Sequence, residues 1–119
     1  MPTVEQLTDT ITKLEKLFRK NGLWRRPEVR PPVVPIRGSW DETTQEAAKL
    51  INRVFHVRCL PACARMFGGV NESAVFAFIH DNKSEREKLD YIKRQVNQLI
   101  SDVGMLPNMD TSGIFKIEE

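Results

Sequence analysis

Residues 84–104 read SEREKLDYIKRQVNQLISDVG and carry the clearest structural signal in this chain of 119 residues. Ser84 and Glu87 have capping-box spacing, in which a hydroxyl and a carboxylate satisfy backbone donors of a first helical turn. Apolar residues then recur three and four positions apart, the spacing of one face of an α-helix. They are Leu89, Ile92, Val96, Leu99 and Val103. Since Gly104 is a suitable stop, the pattern predicts a helix over 85–103.

The N-terminal residues repeat this pattern. Thr3 and Gln6 form a second pair with capping-box spacing, and Asn21-Gly22 is a typical left-handed helix stop. Between them lies an apolar stripe at helical spacing, which consists of Val4, Leu7, Ile11, Leu14, Leu17 and Phe18. We therefore predict a helix over 4–21.

The middle of the chain predicts a further long helix and a short one. Ser39 and Glu42 have capping-box spacing and precede an apolar series, which predicts a helix over 40–57. Pro61 suits a first helical turn and Gly68-Gly69 suits a stop, so a short helix is expected over 61–67.

Residues 72–81, ESAVFAFIHD, are ambiguous, because their apolar positions fit both a helical face and the alternation of a strand. With helices on both sides and no partner strand, a buried helix is favoured. Residues 104–119 are predicted to form an irregular tail, in which Ile114, Phe115 and Ile117 form a short extended anchor. The predicted fold is one all-α domain, a bundle of four to five helices.

An extended, proline-rich basic arm over residues 25–38 is predicted to join the first helix to the second. Residues 25–37 read RRPEVRPPVVPIR, and prolines that fix φ favour extended or polyproline II backbone. The first 38 residues contain eight Lys/Arg against four Asp/Glu, although the whole chain has a net charge of only +2. This local imbalance is typical of a surface that meets an anionic partner.

Three interpretations of the arm remain open. As an anion-binding arm it would contact phosphates through arginine and stack Trp24 on an unpaired base. The residues of this candidate site are Arg19, Lys20, Trp24, Arg25, Arg26, Arg30 and Arg37. As a polyproline-type ligand it would present Pro32, Pro35 and Arg37 in a P-x-x-P-x-[RK] pattern, unless Val33 and Val34 are buried. As a connector it would lay its valines on the bundle.

The chain's only histidines and cysteines are His56, Cys59, Cys63 and His80. They make a nominal Cys2His2 set for zinc, but their spacing does not match the usual zinc pattern, and buried thiols explain the cysteines more simply. The sequence contains no phosphate-binding glycine loop and no nucleophile with an oxyanion site. We therefore expect neither a cofactor nor enzymatic activity.

The sequence favours a non-enzymatic protein–protein interaction module, an adaptor or assembly component with a protein partner. RNA or DNA binding through the basic arm is the alternative. No apolar run approaches the roughly 20 residues of a membrane helix, and no secretory signal is visible, so we expect an intracellular, cytoplasmic protein. Because the apolar stripes of the first and last helices could pair across a two-fold axis, a homodimer is a further hypothesis.

Overall fold

The computed structural model describes residues 2–23, 34–60 and 84–118, together with five single positions between 63 and 75. Within these residues there are three helices and no strand. The helices are α1 (Val4–Lys20), α2 (Glu42–Arg58) and α3 (Glu85–Gly104). The prediction of an all-α fold is confirmed for this part of the chain.

Helices α1 and α3 begin with the two predicted capping boxes. The Thr3 hydroxyl accepts a hydrogen bond from the backbone N–H of Gln6 at 3.1 Å, and the Gln6 side chain accepts one from the Thr3 N–H at 3.0 Å. Ser84 and Glu87 make the same reciprocal pair at the start of α3. Gly22 has a φ of 70°, the left-handed conformation expected after α1.

Helix α2 starts differently from the prediction. Asp41, not Ser39, is its N-cap, and the Asp41 carboxylate accepts a hydrogen bond from the Thr44 N–H at 2.7 Å. Hydrogen bonds from the Thr44 backbone and side chain hold the pKa of Asp41 below its ordinary value of 3.8. A carboxylate here both caps the first turn and complements the positive end of the helix dipole, which explains the later start.

The two remaining predicted helices, 61–67 and 72–81, fall mostly outside the described residues. Of these stretches the structure describes Cys63, Arg65, Phe67, Ser73 and Val75, each in helical conformation. Cys63 and Val75 are buried and belong to the hydrophobic core. A total of four to five helices is therefore not confirmed.

Helices α2 and α3 run in the same direction, which two contacts between them establish. Lys88 Nζ donates to Thr44 Oγ1 at 2.8 Å near the start of both helices, and Arg58 Nη1 lies 3.1 Å from Asp102 Oδ2 near the end of both. Thr44 to Arg58 and Lys88 to Asp102 each span fourteen positions, about 21 Å of helix. The two helices are therefore parallel neighbours in close register.

Helix α1 is joined to α2 by apolar packing and by one bidentate ion pair. Arg53 in α2 donates through Nε and Nη2 to the two carboxylate oxygens of Glu15, and its Nη2 also donates to Thr12 Oγ1 at 3.0 Å. The core beneath this pair includes the largest fully buried side chains of the three helices. They are Leu7, Ile11, Leu14, Phe18, Ile51, Val54, Val57, Ile92, Val96 and Leu99. Burial of this apolar surface is the main stabilising contribution.

The Arg58–Asp102 ion pair provides a test of the parallel packing. Both side chains are about nine-tenths buried, and within the described residues Arg58 Nε and Nη2 have no acceptor. Asp102→Ala removes the counter-charge of a buried guanidinium, so we expect the free energy of unfolding to fall by about 3–5 kcal/mol in urea denaturation.

The matched control is the double variant Arg58→Met/Asp102→Leu, which replaces both charges by apolar groups of similar size. We expect it to recover most of the loss, because no charge is then left buried without a partner. A double variant no more stable than Asp102→Ala would contradict a direct pairing of these two side chains.

Candidate functional site: a tail held on helix α3

Residues 105–118, the tail, follow α3 and turn back to meet its C-terminal half. Asn97 Nδ2 donates to the backbone carbonyl of Ile117 at 2.9 Å, and Asn97 Oδ1 accepts from the Ile117 N–H at 2.8 Å. One side chain therefore satisfies both backbone groups of a residue outside any helix, which fixes where the tail lies on α3.

The side chains of the tail divide into an inner and an outer set. Ile114 and Ile117 are half-buried and pack against the core, whereas Phe115 is 75% exposed. A turn precedes them, closed by a hydrogen bond from the Ile114 N–H to the Thr111 carbonyl at 3.0 Å. The predicted anchor is thus correct for the two isoleucines and wrong for Phe115, which points outward from the same fixed backbone.

The tail also carries the most exposed large apolar side chains of the described residues. Met105 is 71% exposed and Phe115 75%, compared with 37% for Leu23 and 40% for Ile36. Lys116, next to Phe115, is exposed as well. We call Met105, Phe115 and Lys116 the tail face. Single exposed apolar residues are ordinary, whereas a contiguous exposed apolar patch is typical of an interaction surface.

The end of α1 contributes positive charge near the tail. The pKa of Asp110 lies below its ordinary value because Ser112 donates both its hydroxyl and its backbone N–H to the carboxylate, and Lys20 adds a smaller electrostatic contribution. The hydroxyl and N–H of Ser112 lie 2.6 Å and 3.0 Å from Asp110 Oδ1. Lys20, one of the predicted anion-binding residues, is therefore close to the tail and exposed.

The second clamp of this kind holds the arm. Asn52 Oδ1 accepts from the Val34 N–H at 2.7 Å, and Asn52 Nδ2 donates to the Val34 carbonyl at 2.8 Å. Val34 itself is fully buried. Val34 lies between Pro32 and Pro35 in the sequence. The segment could therefore enter the aromatic groove of a partner protein only if Val34 left the core. The burial of Val34 is what the connector interpretation expects at this position, and the ligand interpretation of Pro32, Pro35 and Arg37 stays a prediction.

The other predicted arm residues divide between exposed and undescribed positions. Arg19, Lys20, Pro35 and Arg37 are exposed. Outside the described residues lie Trp24, Arg25, Arg26, Arg30 and Pro32. The arrangement of the basic series as a phosphate-contacting surface therefore stays a prediction from the sequence.

The structure describes three of the four residues of the cysteine and histidine set. Cys63 is buried, and this burial raises the pKa of its thiol to about 11, against a smaller lowering by the Arg58 charge. A buried thiol that stays protonated is a poor nucleophile. His56 and Cys59 are half-buried, and His80 lies outside the described residues. No group of three or more potential ligands occurs among the side chains described.

Sequence reasoning missed both asparagine clamps. Asn52 and Asn97 each lie in a helix interior, where asparagine is a weak helix former. That local disagreement with the helical pattern is the signal that could have located them, because a polar amide beside an apolar stripe can reach a neighbouring extended backbone.

Comparisons with known protein families, with curated proteins and with solved structures find no match to this chain. Among the described helices, none has the length and apolar character needed to cross a bilayer. The function proposed below therefore depends on the geometry of the tail.

Replacement of each asparagine by alanine should distinguish the two clamps. In Asn97→Ala the Ile117 N–H loses its acceptor, so we expect its amide hydrogen exchange to become fast while the helical amides of α1 and α2 stay protected. In Asn52→Ala the buried groups of Val34 lose their partners, so we expect a global loss of about 1–3 kcal/mol in the free energy of unfolding.

The measurement is hydrogen exchange followed by NMR, together with urea denaturation of both variants. An Ile117 amide that stays as protected in Asn97→Ala as in the wild type would contradict the clamp on the tail. Equal global destabilisation by the two substitutions would contradict the difference in burial between Val34 and Ile117.

Proposed function

We propose that this protein is a non-enzymatic protein–protein interaction module, an adaptor or assembly component, that contacts its partner through the tail face. The observation that supports this most strongly is Phe115, an exposed aromatic side chain on a backbone held by Asn97 and flanked by two seated isoleucines. Aromatic residues dominate binding free energy at interfaces, and an ordered backbone reduces the entropy lost on association.

The charges around the tail face indicate the chemistry of the partner. Lys116 adjoins Phe115, and Lys20 at the end of α1 lies near Asp110. A partner that offers an apolar pocket for Phe115 and Met105 and acidic side chains at its rim would complement this surface. An interface centred on a few residues is small, which is typical of a transient complex.

Nucleic-acid binding through the arm is the second candidate. Its support is the charge of residues 19–37, which contain six Lys/Arg and one acidic residue, and the exposure of Lys20 and Arg37. Phosphate contacts of this kind weaken steeply as salt is raised, whereas an apolar interface is much less sensitive. Salt dependence therefore separates the two candidates.

The tail-face proposal predicts that Phe115→Ala and Met105→Ala each weaken binding of a protein partner by about 10- to 100-fold, the loss expected when an interface anchor is truncated. Because both side chains are largely exposed, the thermal midpoint of unfolding should stay unchanged. The partner is first recovered by affinity capture from the source lysate with the wild-type chain and identified by mass spectrometry. Its affinity for each variant is then measured by titration calorimetry.

Ile36→Ala is the matched control, because Ile36 is exposed and apolar but lies on the arm. We expect it to bind the recovered partner as the wild type does. If Phe115→Ala retains full affinity, the tail face is not the interface. If Arg25→Ala/Arg26→Ala/Arg30→Ala alone abolishes binding, and the bound molecule is a nucleic acid released by salt, the second candidate replaces the first.

A further inference from the structure

One exposed face of α1 carries a line of lysines. Lys13, Lys16 and Lys20 are all exposed, and their spacing of three and four positions puts them on the same side of the helix. From Lys13 to Lys20 the line is about 10 Å long at the rise of an α-helix. We call these three lysines the α1 ridge.

The surface around the ridge contains no exposed acidic residue of α1 that would offset it. Between residues 10 and 23 the sequence has a single acidic residue, Glu15. It is buried, and both of its carboxylate oxygens accept hydrogen bonds from Arg53. The exposed acidic residues of α1, Glu5 and Asp9, lie before Lys13. The exposed charges of the C-terminal half of α1 are therefore all positive.

The structure gives Lys13 and Lys16 no task within the molecule. Among the described residues no ion pair joins either of them to a carboxylate, whereas most cations of α2 and α3 contact an acceptor. The negative end of the helix dipole favours cations only within the last turn, which in α1 contains Arg19 and Lys20. The charge of Lys13 and Lys16 therefore remains available to another molecule.

The chemistry of the ridge fits a phosphate backbone better than a protein surface. Protein interfaces combine an apolar centre with a polar rim, but none of the exposed large apolar side chains of the described residues lies on α1. Contacts to nucleic-acid phosphates need charge alone, and lysine is a compact point charge that binds phosphate well. One strand of duplex DNA has a phosphate for about every 3.4 Å of its axis, so the ridge is about as long as three phosphates.

We propose that the α1 ridge binds the phosphodiester backbone of a nucleic acid, with one phosphate for each lysine. Such binding does not depend on base sequence. It needs no contact with the tail face and so goes beyond the protein partner proposed above. It rests on the second candidate function only in the class of its ligand, because Lys13 and Lys16 lie outside the arm. Lys20 belongs to both surfaces, so a strand on the ridge would continue towards the arm.

Salt dependence measures the number of phosphates that the ridge contacts. The affinity of the full chain for a labelled DNA duplex is determined by fluorescence anisotropy between about 50 and 200 mM salt, where each contact contributes about −0.9 to the slope of log K against log salt. We expect Lys13→Gln/Lys16→Gln to make this slope shallower by about 1.8. A labelled single-stranded RNA is titrated in parallel, with about −0.7 for each contact. Because both lysines are exposed, the thermal midpoint should not change.

Lys49→Gln/Arg94→Gln is the matched control, since it removes the same net charge from two exposed, ion-paired positions on α2 and α3. We expect it to keep the slope of the wild type. Arg25→Ala/Arg26→Ala/Arg30→Ala reports on the arm separately. A change of slope in the ridge variant together with a wild-type slope in this triple variant would support the ridge and contradict the arm.

Three results would overturn the ridge. One is a wild-type slope in Lys13→Gln/Lys16→Gln. Another is an equal loss of slope in Lys49→Gln/Arg94→Gln, which would show that binding follows net charge rather than this face of α1. The third is a wild-type chain that binds neither the duplex nor the RNA at the lowest salt concentration. If that chain then binds polyglutamate through Lys13 and Lys16, the ridge belongs to an acidic protein partner.

Discussion

The parallel alignment of α2 and α3 constrains the rest of the described structure. Parallel neighbours place like ends of two helix dipoles side by side, which is unfavourable unless charges offset them. The N-terminal ends carry Asp41, Glu42, Glu85 and Glu87, and the C-terminal ends carry Arg58. The buried Arg58–Asp102 pair at that end thus joins the two helices and places a cation among their terminal carbonyls. Lys88 at the opposite end is a cation near two positive helix ends, and Asp41 is a negative charge close enough for Lys88 to contribute to the lowering of its pKa.

The same alignment requires a long connection from the end of α2 back to the start of α3. A chain that leaves the end of α2 must return the full length of the helix before α3 can begin, and the tail that follows α3 starts at the end where α2 has already finished. Segments outside a helix cannot satisfy their own backbone groups as a helix does. In two non-helical segments outside this connection, the stretch before α2 and the tail, a helix asparagine supplies both hydrogen bonds, Asn52 for Val34 and Asn97 for Ile117. The two hydrogen bonds from Asn97 fix the tail on α3 and with it the backbone that carries the exposed Phe115.

Local signals predicted α1 and α3 well and α2 less well. The capping boxes at Thr3 and Ser84 and the apolar stripes are short-range features, so the sequence alone specifies those helices. At α2 the pattern predicted Ser39 as the cap, whereas the structure has Asp41, whose carboxylate accepts a hydrogen bond from the Thr44 N–H. Boundaries of this kind are the least secure part of any prediction from pattern.

The candidate site was largely beyond prediction because its contacts are distant in the chain. Asn97 and Ile117 are twenty positions apart, and nothing near either residue specifies the pairing. The apolar character of Ile114, Phe115 and Ile117 indicated an anchor, but not which of the three side chains would face the core. The basic arm was conspicuous in composition, yet its one described buried residue, Val34, serves as a packing contact.

The most direct measurement is the distance between spin labels at the helix ends, in a background with both native cysteines replaced by alanine. One pair joins Glu42 to Glu85, the first residues of α2 and α3, and the other joins Glu42 to Gly104, the last residue of α3. Parallel packing predicts about 10–20 Å for the first pair and about 30 Å for the second, from helix spacing and rise. A longer distance for the first pair than for the second would show that the helices are antiparallel and would contradict the account of the fold and of the tail.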